Sequence, residues 1–431
     1  MGLRPGFKRT EVGIIPEDWE VRSLSKLVSS GPRNGFSGRC AKDARGTLTL
    51  ALTATSSGKL LLSEETIKHL EVTLDPTSDT LLKCGDVLVQ RSNTPELVGT
   101  TAIFYGPDCL YAYPDLMMRL RFHASETALW FWRYANSSSG RRYFISVAAG
   151  STGTMPKISG NKLRNMPVPL PEPSEQRAIT TVLSDADALS DALEQLIVKK
   201  RDLKQAAMQQ LLTGQTRLPG FTGEWEVKTL GELFTFSGGY SASRDQLSTE
   251  GHCYLHYGDI HGASKTTLDT ESDYQNIPKL DVPLRKVPSA SLLNDGDVVF
   301  VDASEDDAGT SKHVVVVNKN NVPFISGLHT IVAKSKTDEL AHGYRRYCFQ
   351  TRAIRQQFLF YAVGTKVSGI SKTNIPKLTL PVPSVPEQIA IATVLIDMDE
   401  ELMALEQRLA KTRDLKHGMM QELLTGRNRL L

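Results

Sequence analysis

Four residues of the segment HCYLHYGDIH, namely His252, Cys253, His256 and His261, are of the types that bind zinc. Imidazole nitrogen and thiolate sulfur are the ligands that ion prefers. The run reads as a strand, however, and there residues i and i+4 lie about 13 Å apart, too far to share one ion. Glu226-Val227-Lys228 has the E-x-K part of a nuclease site, but no Pro-Asp pair precedes it at a suitable distance, and its twin Glu20-Val21-Arg22 lacks the lysine. Gly262-Ala263-Ser264-Lys265-Thr266 lacks the spacing of a phosphate-binding loop. Gly238-Gly239 reads as a turn, not as part of a strand–GxGxxG–helix unit, and residues 238–243 match G-x-S-x-G poorly. These residues imply no metal, no nucleotide cofactor and no catalytic centre in this chain.

Binding to a polyanion has better support. Basic residues gather before each of two long helical segments: Arg133, Arg141, Arg142, Lys157, Lys162 and Arg164, and then Arg345, Arg346, Arg352, Arg355, Lys366, Lys372 and Lys377. Small polar residues are interleaved with them in Gly153-Thr154-Met155-Pro156-Lys157-Ile158-Ser159 and in Gly364-Thr365-Lys366-Val367-Ser368-Gly369-Ile370-Ser371. Ammonium groups, hydroxyls and exposed amides are the groups that contact phosphate. Two other loops carry groups able to read base edges. One is Gln90-Arg91-Ser92-Asn93, and the other, Asp302-Ala303-Ser304-Glu305-Asp306-Asp307, follows the same Gly-Asp turn. Arginine favours guanine, Asn or Gln favours adenine, and a carboxylate accepts from cytosine. Taken singly, each residue is equally well accounted for by a solvated face.

The elements that must position these groups come in two copies. Residues 175–218 return as residues 387–430 at a constant offset of 212 (387 − 175), with 26 of 44 aligned positions identical. Shared helical composition does not produce that, so the chain is duplicated. Each copy follows a divergent segment with sparse anchors: WEVRSL from Trp19 against WEVKTL from Trp225, and Gly85-Asp86-Val87 against Gly296-Asp297-Val298. Unlike modules on like helices suggest one scaffold presenting two recognition surfaces. The segments divide as 1–172, 173–215, 216–384 and 385–431.

The repeated segments read as helices with an apolar seam, Leu183, Leu193, Ile197 and Leu211 in the first and Leu395, Leu402, Leu405, Leu409 and Leu423 in the second. At Lys200/Lys204 and Thr412/Lys416 the seam turns polar, and a register shift that brings in Leu203 and Leu415 is the simplest account. Ser384-Val385-Pro386-Glu387 has the spacing of a capping box, and Gly214 and Gly426 stand where helices end. Neither helix can bury its seam alone, which predicts an antiparallel pair with one module at each end. The chain stops at Arg429-Leu430-Leu431 and begins Leu3-Arg4-Pro5-Gly6-Phe7, as though the end continued into the beginning; Arg217-Leu218-Pro219-Gly220-Phe221 is the covalent version. That suits a pseudo-two-fold, circular arrangement. Within the modules, residues 47–53, 86–90, 98–105, 117–122, 298–301, 313–317 and 329–333 read as strands, and 125–146 and 338–361 as helices. The fold class is α+β with small, mostly antiparallel sheets.

Composition adds bounds. The 431 residues, 40% hydrophobic and 23% charged with a formal net charge of +2, suit at least two ordinary domains, and any polyanion site must be local. Five scattered cysteines without a CxxC pair predict reduced thiols. The N-terminus has no signal-peptide core and no run of 18 apolar residues occurs, so a cytoplasmic protein without a membrane is expected.

PVPLPEPSEQRAI from Pro167 and LPVPSVPEQIAI from Leu380 each open a helix ending near LLTG, and each follows a Gly-Thr…Ile-Ser approach, Gly-Thr-x-x-x-Ile-Ser in the first copy and one residue longer in the second. Over essentially the whole chain this resembles the specificity subunits of type I restriction–modification systems. The resemblance implies two target-recognition domains, each reading half of a bipartite site in double-stranded DNA, with the helices as spacer. It further implies two modification subunits that use S-adenosylmethionine to methylate adenine, and restriction subunits that use ATP and Mg, with no cofactor in this chain. A different class of reading is a tandem-module interaction scaffold on a coiled coil without DNA. Autonomous adenine methylation would need an N/D-P-P-Y/F/W motif, which Asn165-Met166-Pro167-Val168 is not.

Overall fold

The computed structural model describes residues 5–41, 43–150, 155–262, 265–304, 312–362 and 368–430. The chain forms two units, Met1–Glu194 with Gln407–Leu431, and Gln195–Glu406. The division falls inside both long helices, Pro173–Leu211 and Val385–Leu423, each of 39 residues. At 1.5 Å per residue each is about 58 Å long. Packing explains why the units cut across the predicted segments. Ile179 and Leu183 of the first helix share a core with Leu423 of the second and Leu424 just past its end, while Met208 and Leu211 share another with Ile391, Ala392 and Leu395.

In the first unit, a four-stranded antiparallel sheet runs in the order Val28–Asn34, Met117–Phe122, Val87–Gln90, Thr101–Ile103. Val87, Val89, Met118 and Leu120 pack with Trp130 and Phe131 of the helix Ser125–Asn136. Leu88 and Met117 face a second core with Leu50, Phe104 and Tyr113. Both faces are therefore covered, so Val87–Gln90 is a continuous buried run without polar alternation. The second unit repeats the plan around a five-stranded sheet, Phe234–Gly238, Thr330–Ser335, Val298–Val301, His313–Val317, Thr267–Asp269, whose last pair is parallel.

The sparse anchors have structural reasons. Glu20–Ser23 pairs with Pro167–Leu170, and Glu226–Thr229 with Thr379–Val382, so the strand entering each module binds the strand leaving it. In the shared turns, Gly85 (φ +87°) and Gly296 (φ +79°) take the left-handed conformation. The next residue closes the turn: Asp86 accepts from the Lys83 N–H and Asp297 from the Asn294 N–H, each at 2.8 Å. Each carboxylate also holds a cation on the adjacent strand, Arg121 at 2.7 Å and Lys334 at 2.9 Å.

Three expectations are corrected. The helix predicted over 125–146 is two, broken where Ser137 leaves the helical region and its hydroxyl accepts from Gly140 N–H; the one over 338–361 breaks likewise at Thr351. HCYLHYGDIH is not one strand. The strand ends at Leu255 and a helix Tyr257–Gly262 follows, with His256 Nδ1 accepting from Gly258 N–H at 3.1 Å. The spacing argument against a shared metal therefore does not apply to His256 and His261, although among the described residues no group of three or more His, Cys, Asp or Glu is placed to hold a metal ion. Thirdly, the helix seam does not shift register: Leu203 and Leu415 are 48% and 58% exposed.

The polar residues remain in the seam as ion pairs. In the first unit Lys416 Nζ meets Asp187 at 2.7 Å and Arg413 meets Glu194 at 2.8 Å. Moving each cation back and each acid forward by 212 gives the same pairs in the second unit, Lys204 with Asp399 and Arg201 with Glu406, the latter at 2.6 Å. In each unit the partner's number falls as the other rises, so the helices are antiparallel. Leu183, Leu193, Ile197, Leu211, Leu395, Leu402, Leu409 and Leu423 are buried as predicted and Leu405 is half-buried. A lysine stem spans the seam and its ammonium reaches a carboxylate, so leucine is not required there.

Candidate nucleic-acid interface

Two groups of predicted contact residues, far apart in sequence, become neighbouring strands. In the first module Ile158 N–H donates to Arg91 O at 2.9 Å, and Ser92 bridges Lys157. In the second, Ile370 N–H donates to Asp302 O at 2.8 Å, and Ala303 and Ser304 pair with Gly369 and Ser368. Each module therefore carries a strip with the loop after the Gly-Asp strand on one side and the approach to the long helix on the other. Both strips use the same backbone bonds, and Arg91 occupies in one the place of Asp302 in the other.

The side chains sort by burial. Lys157, Ser159, Lys162, Ser371 and Lys372 are exposed, as phosphate contacts require. The Ser159 hydroxyl also accepts from Lys162 N–H at 3.2 Å, capping the short helix Gly160–Arg164. Arg91 is half-buried, with its guanidinium 3.5 Å from Asp115 O. Asp302 is one-third exposed. Arg142, Arg352 and Arg355 are exposed, and the last two line a cleft with Gln205 and Gln209 of the first long helix and Thr213 beyond its end. Thr154, Lys366, Glu305, Asp306 and Asp307 lie outside the described residues, as do the side chains of Ser304 and Ser368.

Several candidates serve the fold instead. Gln90 is fully buried and its amide donates to Leu52 O, Thr55 and Ser56. Asn93 donates to Gln90 at 2.6 Å, and Ser92 is 1% exposed. Three of the four residues in that loop thus tie it to the core, and only Arg91 is left for a base. Arg141 is spent on the carbonyls of Val98 and Glu96. Among the other gathered cations, Arg133 is buried against Asp187, and Arg345 is 2% exposed with bonds to Leu340 O and Gly296 O. Asp187 and Gly296 stand far away in sequence from the arginines they hold, so residue type alone gave no warning.

Sequence reasoning missed two residues beside the strips. Arg91 N–H donates to Leu116 O at 2.8 Å, and Asp302 N–H to His329 O at 3.2 Å, which makes His329 the counterpart of Leu116. Tyr257 packs against His329, His256 and His261. Burial, with Arg244 and His329 nearby, holds His256 below the usual imidazole range against the opposing pull of Asp259. A histidine at the head of a strand was the one available signal for His329.

Residues 222–412 match the family model described as "Type I restriction modification DNA specificity domain". A Methanocaldococcus jannaschii protein carrying the name MjaX specificity subunit of a type I restriction enzyme is 24% identical over 442 residues, 98% of this chain and 97% of that one. The MjaIX specificity subunit of the same organism is 21% identical, over 98% and 96%. A solved type I restriction–modification S subunit from M. genitalium superposes with a TM-score of 0.54 at 14% identity, covering 98% of each chain, a likeness of fold. Among the described residues no helix is long and apolar enough to cross a membrane.

Proposed function

The chain belongs to the specificity subunits of type I restriction–modification systems, and from that premise we propose that its two modules read different half-sites through the two strips. As a specificity subunit it supplies DNA sequence recognition, not catalysis. The observation that carries the proposal is a shared strip backbone with unlike side chains. Arg91 presents donors suited to guanine, whereas Asp302 presents an acceptor suited to cytosine. Lys157 and Lys372 lie alongside as phosphate contacts. The paired helices set the distance between half-sites and bind two modification subunits. Those subunits carry S-adenosylmethionine, and restriction subunits that join them use ATP and Mg. The complex works in the cytoplasm, where reduced cysteines and double-stranded DNA are both at hand.

Methylome sequencing of cells expressing the chain with its modification subunits tests this, the expected result being a bipartite motif modified in both halves. A continuous motif, or none, would sink the two-reader proposal. Lys157→Ala or Lys372→Ala should weaken binding almost evenly across sequences and lower the salt slope by about one unit. Titrations at several salt concentrations check it, and a change in base preference would reassign the lysine. One helical turn inserted after Leu203, with a matching turn opposite in the second helix, should lengthen the preferred spacer while both half-sequences stay the same. An unaltered spacer in the methylome would remove the ruler role.

A further inference from the structure

We infer that His329 is a base-reading side chain of the second module, and that its Nε2 accepts a hydrogen bond from the exocyclic amine of an adenine or a cytosine. The inference rests on the proposal that the strips face DNA. His329 closes the strip from the side, through the bond from Asp302 N–H to its carbonyl. Its backbone lies in the left-handed region, at φ +58°. A residue with a Cβ is strained there, and such strain concentrates at functional sites. Leu116, its counterpart, is not among the positive-φ residues.

The ring is held from two directions. Tyr257 meets it edge-on at 5.4 Å between centroids and 84° between planes. Asp302 Oδ1, a covered oxygen without a hydrogen bond, lies 3.3 Å from Nδ1. A carboxylate only accepts, so it favours the tautomer whose hydrogen sits on the facing Nδ1. Nε2, at the other edge, then carries the lone pair. The side chain remains 50% exposed. A packing role would be met by leucine, as in the first module. In the major groove the groups that seek an acceptor are adenine N6 and cytosine N4.

The test uses the full chain assembled with its modification subunits. His329→Gly removes the ring and keeps the left-handed backbone, so thermal unfolding should occur at or above the wild-type temperature. In the methylome of cells carrying this variant, one position of one half-site should become degenerate, with discrimination reduced about tenfold, while the other half-site and the spacer are unchanged. The base required there by the wild type distinguishes the two sources of the amine. His329→Asn, which tolerates the same backbone and keeps an acceptor, should retain the preference. The inference is overturned by an unchanged motif, by loss of the preference in His329→Asn to the same extent as in His329→Gly, or by equal loss in both half-sites. If the wild-type motif is not bipartite, the two-reader proposal fails instead.

Discussion

Replacing Glu175 by alanine is expected to destabilise the first unit by about 3 kcal/mol, because the change leaves the buried Trp19 indole without its acceptor and the part-buried Arg429 guanidinium without one of its two carboxylates. Glu175 is 0% exposed at the start of the first long helix. It accepts from Arg429 Nε at 2.5 Å and Nη2 at 2.8 Å, and from the Trp19 indole at 3.1 Å. Arg429 also donates to Asp18, so residues near the two chain ends are clasped by charge. Bonds to Asp18 and Glu175 hold Arg429 above even the usual guanidinium range. The second unit repeats the clasp with Glu387, Arg217 and Trp225, where Arg217 and Trp225 are joined by a short covalent segment. Glu387 was expected to close a capping box, and the structure gives its carboxylate this role instead. For a unit of about 200 residues the loss should lower its unfolding temperature by about 10 °C. Differential scanning calorimetry of Glu175→Ala checks this, and a shift below about 2 °C would show that the clasp is energetically idle.

Asp187 should make the first unit acid-labile. Its carboxylate accepts from Arg133 at 2.5 Å and Lys416 at 2.7 Å, with Lys59 at 3.1 Å, so it joins a module helix to both long helices. Burial by itself would raise its pKa, but hydrogen bonds from Lys416 and Arg133 overcome that and hold it at about 2. A folded-state value below the unfolded one stabilises the fold above about pH 4, and that stability is lost as the pH falls through about 2. The difference is worth about 2 kcal/mol at neutral pH. Asp187→Asn removes the charge that Arg133, 4% exposed, requires, and should cost about 3–4 kcal/mol at pH 7. Its stability should then fall less steeply than the wild type's between pH 4 and 2. Urea unfolding across that range decides the matter, because parallel curves would show that other carboxylates govern the acid limb.

How much of this could be read beforehand depended on the range of the interaction concerned. The helix seam was legible because its period is local, and residues 212 apart repeat it. The Gly-Asp turns were legible as anchors because a left-handed turn selects glycine. Leu203 and Lys204 are adjacent and both compatible with a helix, and nothing local says which faces the partner. The choice fell to Lys204 because Asp399 stands opposite. Gln90 looked like a base reader until Thr55 and Ser56 were placed beside it.

The sequence by itself determined that the chain is duplicated, that two like helices carry two unlike modules, and which loops differ between them. Those features rest on identity, period and residue type, all of which survive in an extended chain. Only the tertiary structure decided which cations reach solvent, that Arg91 lies beside Ile158 and Asp302 beside Ile370, and that His329 joins them. Each of these outcomes comes from pairing between segments distant in the chain. Burial and hydrogen-bond partners at such range are set by the packed whole and leave no mark on the local pattern.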